Sequence, residues 1–142
     1  MKKNRYEIIW PFYKDYEFLN KSINDINAQT FLPFKIIFID DGNQDPKLKA
    51  DIRNKLNKKI ILDFVSNNEN LGPEKSLEIA FKKINSKFFY IKATDDRIYK
   101  NFFKENIKIL VKNIHSPFVF SNIIIKNLIN KHKYLIKFSF LR

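Results

Sequence analysis

Two pairs of adjacent carboxylates, Asp40-Asp41 and Asp95-Asp96, are the side chains of this 142-residue chain best suited to chemistry. Neighbouring carboxylates repel each other unless a cation or several hydrogen-bond donors lie close by. Hard divalent cations such as Mg2+ and Mn2+ take oxygen ligands, commonly one or two carboxylates together with substrate phosphates. Asp95-Asp96 suits that role, because one short carboxylate can reach a metal and the other a hydroxyl. Asp40-Asp41 is followed by Gly42, which lets the backbone turn tightly, so a carboxylate there can accept from a ribose or a base N–H. Taken singly, each pair also reads as turn or helix-cap chemistry, and Asp45 before Pro46 reads as a helix cap. With no Cys there is no thiolate zinc site and no cysteine nucleophile, and His115 and His132 are too few for a histidine metal cluster.

The elements that must position these acids follow from hydrophobic periodicity. Short apolar runs at 7–11, 35–39, 60–65 and 88–92 predict strands, the first stopped by Pro11. Between them, Leu19, Ile23 and Ile26 within 16–29 predict an amphipathic helix. Asp45-Pro46 opens a second helix through Leu48, Ile52 and Leu56, and Gly72-Pro73 opens a third with an inward stripe of Leu77, Ala80, Phe81 and Ile84. A fourth begins near Lys100, with Phe103, Ile107, Leu110 and Ile114 inward. Two further strands are expected at 118–125 and 133–140 around a polar turn from Asn127 to His132. Alternating strands and helices imply an α/β domain with a mostly parallel sheet covered on both faces. Right-handed crossovers then bring all strand C-termini to one edge, where such sheets bind ligands. Asp40-Asp41 and Asp95-Asp96 both fall on that edge.

Length and composition bound the class. The chain suits a single domain over 1–142, and 44% hydrophobic residues with 15 Phe and 6 Tyr exclude global disorder. The apolar run after the basic N-terminus is too short for a signal peptide, and no stretch is long enough to span a bilayer, so a cytoplasmic location is expected. The net charge of +12 is uneven: residues 1–96 hold 17 basic and 14 acidic side chains, whereas 97–142 hold 10 basic ones and only Glu105. The acids therefore lie where a site can use them, and the last third is cationic. That segment would attract phosphates, but it carries no nucleic-acid motif and its lysines are spread over several faces, so nucleic acid is not the expected partner.

Several segments together resemble family 2 glycosyltransferases. Ile8-Ile9-Trp10-Pro11-Phe12-Tyr13 is similar to the family's opening strand with its Pro-x-Tyr-Asn ending. Ser22-Ile23 with Gln29-Thr30, the run Ile36 to Asp45 containing Asp40-Asp41-Gly42-Asn43, and Asn70-Leu71-Gly72 resemble its next three motifs. Thr94-Asp95-Asp96-Arg97-Ile98-Tyr99 resembles its metal-binding acidic motif. These five segments occur in family order over residues 6–120.

The resemblance implies a GT-A fold, a Rossmann-like sandwich that binds a nucleotide-diphosphate sugar, expected to be a UDP-sugar, with Mn2+ or Mg2+. On that footing Pro11, Phe12 and Tyr13 would flank the base, Asp41 would meet the base edge, and Asp40 would support the loop. Gly72 would belong to the same nucleotide-sugar site. Asp95 would contact the ribose or a metal-bound water, and Asp96 would ligate the metal on the diphosphate. The chain departs from the pattern at Lys14, in place of Asn, and at Ala93, in place of an acid; Ser76 and Glu78 replace the Ala and Asn usual after Gly72. After Asp96 the only acid is Glu105, so no inverting base is visible and the acceptor half is expected to be short or missing. The acceptor, whether saccharide, lipid-linked or protein, stays open, as does peripheral membrane contact through residues 97–142. The alternative is an inactive remnant or nucleotide-binding partner subunit. A phospho-receiver domain, also α/β, would place its acid pair after the first strand, not the second.

Overall fold

The computed structural model describes residues 4–121, 123–126 and 133–136. The chain divides into two compact units, Met1–Lys104 and Glu105–Arg142.

The first unit is built on strands β1 (Tyr6–Phe12), β2 (Lys35–Asp40), β3 (Ile61–Ser66) and β4 (Phe88–Ile91), all parallel and ordered β3-β2-β1-β4. The chain adds β2 and β3 outward on one side of β1, then crosses back to place β4 on its other side. The order reverses between β1 and β4, which makes that junction the point where a ligand crevice opens in a parallel sheet.

β1 and β2 are central, so both of their faces are covered, and their apolar runs are continuous for that reason. On one face, register sets Trp10 beside Phe38 and Phe38 beside Phe64; the Trp10 and Phe38 rings meet at 5.2 Å and those of Phe38 and Phe64 stack at 5.4 Å. Helix α1 (Tyr16–Asn27) meets this face through Tyr16, edge-on to Phe12 at 5.1 Å. Its neighbour α2 (Leu48–Lys55) is tied to it by Asn27 Nδ2 donating to Lys55 O at 2.8 Å. The opposite face packs Ile9, Ile37 and Ile39 against Ala80 of α3 (Pro73–Phe81), with Leu77 and Ile84 alongside. Each fully buried side chain of this size contributes about 1.5–3 kcal/mol.

At the sheet edge remote from the acid pairs, Glu7 is fully buried and pairs across the register with Lys35 at 3.4 Å. Ser86 Oγ donates to Glu7 at 2.9 Å, and Lys35 Nζ donates to Lys83 O at 2.7 Å, so this ion pair anchors the connection from α3 to β4.

Several expectations from periodicity are corrected. Phe81 faces outward, 45% exposed, and packs edge-on against Phe89 at 5.6 Å. It follows Ala80, which points straight at the sheet, and one residue turns a helix by about 100°. Asp45 does not begin a helix directly. Its carboxylate accepts from Lys47 N at 2.9 Å, closing a turn, and α2 starts only at Leu48.

Helix α4 (Phe102–Lys112) begins in the first unit, where Tyr6 and Phe103 meet at 4.5 Å, and continues into the second. It ends before Ile114, which is exposed rather than inward. The second unit also holds β5 (Ile123–Lys126) and β6 (Lys133–Ile136), an antiparallel pair with Ile123 opposite Ile136. Residues 118–121, expected as strand, are not in one. The expected turn at 127–132 with His132, and positions 137–140, lie outside the described residues. No helix among the described residues is long and apolar enough to cross a membrane.

Candidate functional site at the C-terminal edge of the sheet

Four loops leave the C-terminal ends of the strands, and backbone hydrogen bonds carry the ladder into them. Asp41 N donates to Phe12 O at 2.9 Å, Asn67 N to Asp40 O at 2.8 Å and Lys92 N to Ile9 O at 2.9 Å.

Asp40 and Asp41 are both buried, and each carboxylate organises a neighbouring loop. Asn43 donates to Asp40 Oδ1 from its side chain at 2.6 Å and its backbone at 3.1 Å, while Ser66 Oγ donates to Oδ2 at 3.0 Å. Asn43 in turn accepts from Lys14 N at 2.8 Å and donates to Phe12 O at 3.2 Å, fastening the loop after β1 to the loop after β2. Asp41 Oδ1 accepts from Asn67 Nδ2 at 2.8 Å and Leu71 N at 2.9 Å, and Oδ2 accepts from Gly72 N at 3.0 Å. Three of its roughly four acceptor positions are thus taken by the loop before α3.

The same loops meet at Gly42, whose φ is +81°. A Cβ there would lie 2.3 Å from the Glu69 carbonyl carbon and 2.4 Å from Asn70 N, backbone atoms that cannot swing aside. Gly72 also has positive φ, +83°, but a Cβ on it would meet nothing within 4 Å. Gly42→Ala is therefore expected to cost about 3 kcal/mol, combining backbone strain with overpacking. Gly72→Ala should carry the strain alone. Urea denaturation of the two variants tests this, and a larger loss at Gly72 than at Gly42 would contradict it.

Of the three residues after the middle of β1, Phe12 is turned into the core against Phe38 and Tyr16, and Pro11 is half-buried. Tyr13 is the aromatic that reaches the edge, 36% exposed. Hydrogen bonding to Lys14 and Asn70 holds its hydroxyl below the ordinary tyrosine pKa, and the Lys14 ammonium lies 4.8 Å from its ring centroid.

Across the switch point, Asp95 and Asp96 are both exposed, on a turn pinned from beneath and behind. Trp10 Nε1 donates to Thr94 Oγ1 at 3.0 Å. Lys92 is fully buried, and its Nζ donates to Ala93 O at 2.9 Å and Asp96 O at 2.7 Å. Burial pulls its pKa down to about 8 against the attraction of Asp96, Asp25 and Asp95. Arg97 forks onto Asp25 of α1 at 2.5 and 2.7 Å, and Ile98 N donates to the same carboxylate at 3.2 Å. Partial burial raises the Asp25 pKa, but these donors outweigh it and hold the group below the usual carboxylate value.

The structure thus brings Tyr13, Gly72 and the two acid pairs to one edge, with Tyr13 and Asp95-Asp96 on loops from adjacent strands. Sequence reasoning missed Asn43, Asn67, Lys92 and the Asp25–Arg97 pair as parts of this edge. Asn43 and Arg97 stood within the two acid motifs without a role of their own, and Lys92 left a signal as a lysine ending an apolar run just before an acid pair.

The parallel sheet with helices on both faces and acid pairs after its second and fourth strands matches the GT-A fold of the solved structures it superposes on. The sequence profile of glycosyl transferase family 2 matches residues 7–137, and the chain belongs to that family. An uncharacterized glycosyltransferase of Haemophilus influenzae is 32% identical over 104 residues, covering 72% of this chain and 32% of that protein. One of Rickettsia felis is 27% identical over 128 residues, covering 90% and 20%. The chain therefore spans about a third or less of the length of these curated relatives. Among solved structures, S. aureus TarS 1-349 in complex with UDP-GlcNAc superposes with a TM-score of 0.65 at 25% identity, over 76% of this chain and 31% of that 1-349 chain. The Pyrobaculum calidifontis mannosyltransferase PcManGT, in complex with GDP-Man and Mn2+, gives 0.57 at 17% identity, over 66% of this chain and 28% of that one.

Proposed function

We propose that this chain is the donor-binding part of a glycosyltransferase that takes a UDP-sugar with Mn2+ or Mg2+ and passes the sugar to an acceptor. The observation that carries the reading is the exposed Asp95-Asp96 pair, set across the β1–β4 switch point from the exposed ring of Tyr13. TarS, which binds UDP and UDP-GlcNAc, supports the choice of donor.

In this reading Tyr13 and Pro11 offer the surface for the base. Phe12 acts from the core by holding their loop, and Asp40 and Asp41 shape the rim through the loops they bind, with the remaining acceptor position of Asp41 available to the base edge. Gly72 presents the open start of α3 to the donor. Asp96 would hold the cation, and Asp95 would reach a ribose hydroxyl or a water on that cation. Among the described residues no group of three or more His, Cys, Asp or Glu side chains is arranged to hold an ion. Two carboxylates completed by donor phosphates fit a hard cation, so cation and nucleotide should bind together. When bound, the ion would supply Lewis-acid stabilisation of the departing diphosphate. The cationic stretch 97–142, at net +9, suits an anionic membrane surface bearing a lipid-linked acceptor.

Isothermal titration with UDP tests the reading. UDP affinity is expected to rise at least about tenfold on adding Mn2+, roughly 1.4 kcal/mol, and to fall back with chelator. Nucleotide affinity indifferent to Mn2+ would refute it.

A further inference from the structure

We propose that Lys92 is a positioning residue whose buried ammonium closes the turn 93–96 on itself, so that the Asp95 and Asp96 carboxylates stand outward before any ligand arrives. The inference rests on the reading of that pair as the cation-binding site.

A lysine with no exposed surface needs partners for its charge and its three protons. Lys92 has them: Ala93 O at 2.9 Å, Asp96 O at 2.7 Å and the Trp10 ring, whose centre lies 5.5 Å away. Carbonyls one and four residues onward converge on a single point, as they would on a bound cation. Thr94 also turns inward, onto Trp10, while both carboxylates of the turn are exposed. The positive charge beneath them also offsets the repulsion between the two neighbouring acids. The β4 end therefore carries an internal cation, directly before Ala93.

If Lys92 only filled space, Lys92→Met would be neutral, since an apolar side chain of similar length replaces a buried charge without penalty in many cores. If it positions the turn, Lys92→Met keeps the sheet intact and loosens residues 94–97 alone. Two measurements separate these cases. Amide hydrogen exchange at 94–97 is expected to accelerate at least about tenfold in Lys92→Met, with β1 and β2 unchanged. The gain in UDP affinity on adding Mn2+ should shrink about tenfold, while metal-free UDP affinity stays within about twofold. Lys92→Arg, which keeps the charge and two donors, should retain most of the Mn2+ effect.

Wild-type exchange at 94–97 together with a wild-type Mn2+ effect in Lys92→Met would overturn the proposal, as would equal losses in the Met and Arg variants. If Lys92→Met does not fold, the Arg variant decides, and loss of its Mn2+ effect overturns the assignment. Should wild-type protein show no Mn2+ effect, the functional reading fails, and exchange at 94–97 still decides whether Lys92 holds the turn.

Discussion

Asp96→Ala is expected to abolish the Mn2+-dependent part of UDP binding and to leave the fold untouched. The two halves of this result come from different atoms of one residue. The Asp96 carbonyl accepts from Lys92 Nζ and holds the turn, and alanine supplies the same carbonyl. The carboxylate is exposed, so its removal should change stability by no more than about 0.5 kcal/mol. In the proposed site Asp96 holds the cation that the donor phosphates share, and its loss should release that cation. The gain in UDP affinity on adding Mn2+, at least about tenfold in the wild type, should therefore vanish, while metal-free UDP affinity stays within about twofold. Calorimetry with UDP and Mn2+, paired with a thermal melt, checks both halves. A variant that melts like wild type and keeps its Mn2+ response would remove Asp96 from the site.

Glu7→Ala should cost about 3–5 kcal/mol, as much as truncating a fully buried aromatic. Glu7 has no exposed surface, and Lys35 opposite it is buried as well. Truncating Glu7 removes the carboxylate partner of the Lys35 ammonium, leaving it on the Lys83 carbonyl, and leaves the Ser86 hydroxyl and the Asn85 N–H without this acceptor. The cost comes chiefly from the orphaned charge, not from the pair's net attraction. Lys35→Met added to Glu7→Ala should therefore recover part of the loss, which chemical denaturation can read directly. A loss below about 1 kcal/mol in the single variant would show that water reaches the pair.

The fold was legible in the sequence where burial leaves a local mark. β1 and β2 are covered on both faces, so they read as unbroken apolar runs, and the alternation of elements implies the parallel sheet. The acid pairs were placed correctly on the C-terminal edge by topology alone. The engagement of Asp40 and Asp41 was less legible. Their oxygens are taken by Asn43 of their own loop and by Ser66, Asn67, Leu71 and Gly72, donors that packing brings from the end of β3 and the loop after it. Phe81 was misassigned because helical spacing fixes which residues share a stripe, not the stripe's angle to the sheet. The cradle of Lys92 was hidden for a related reason, since two of its three partners come from the folded turn itself and the third from β1, 82 residues earlier in sequence numbering.

That separation also orders events as the chain emerges from the ribosome. β1 is the hub of the sheet, but its pairing with β4 joins Tyr6 to Phe88. At the usual elongation rate of about 5–20 residues per second, one flank of β1 waits several seconds or more for its neighbour to be made. During that interval Ile8, Ile9 and Trp10 have only β2 and the early helices to shelter them. Pairings between such distant segments are slow to form even in a complete chain, because loop closure must come first. Nascent chains of this protein should therefore depend on holdase chaperones most strongly between the emergence of β2 and that of β4.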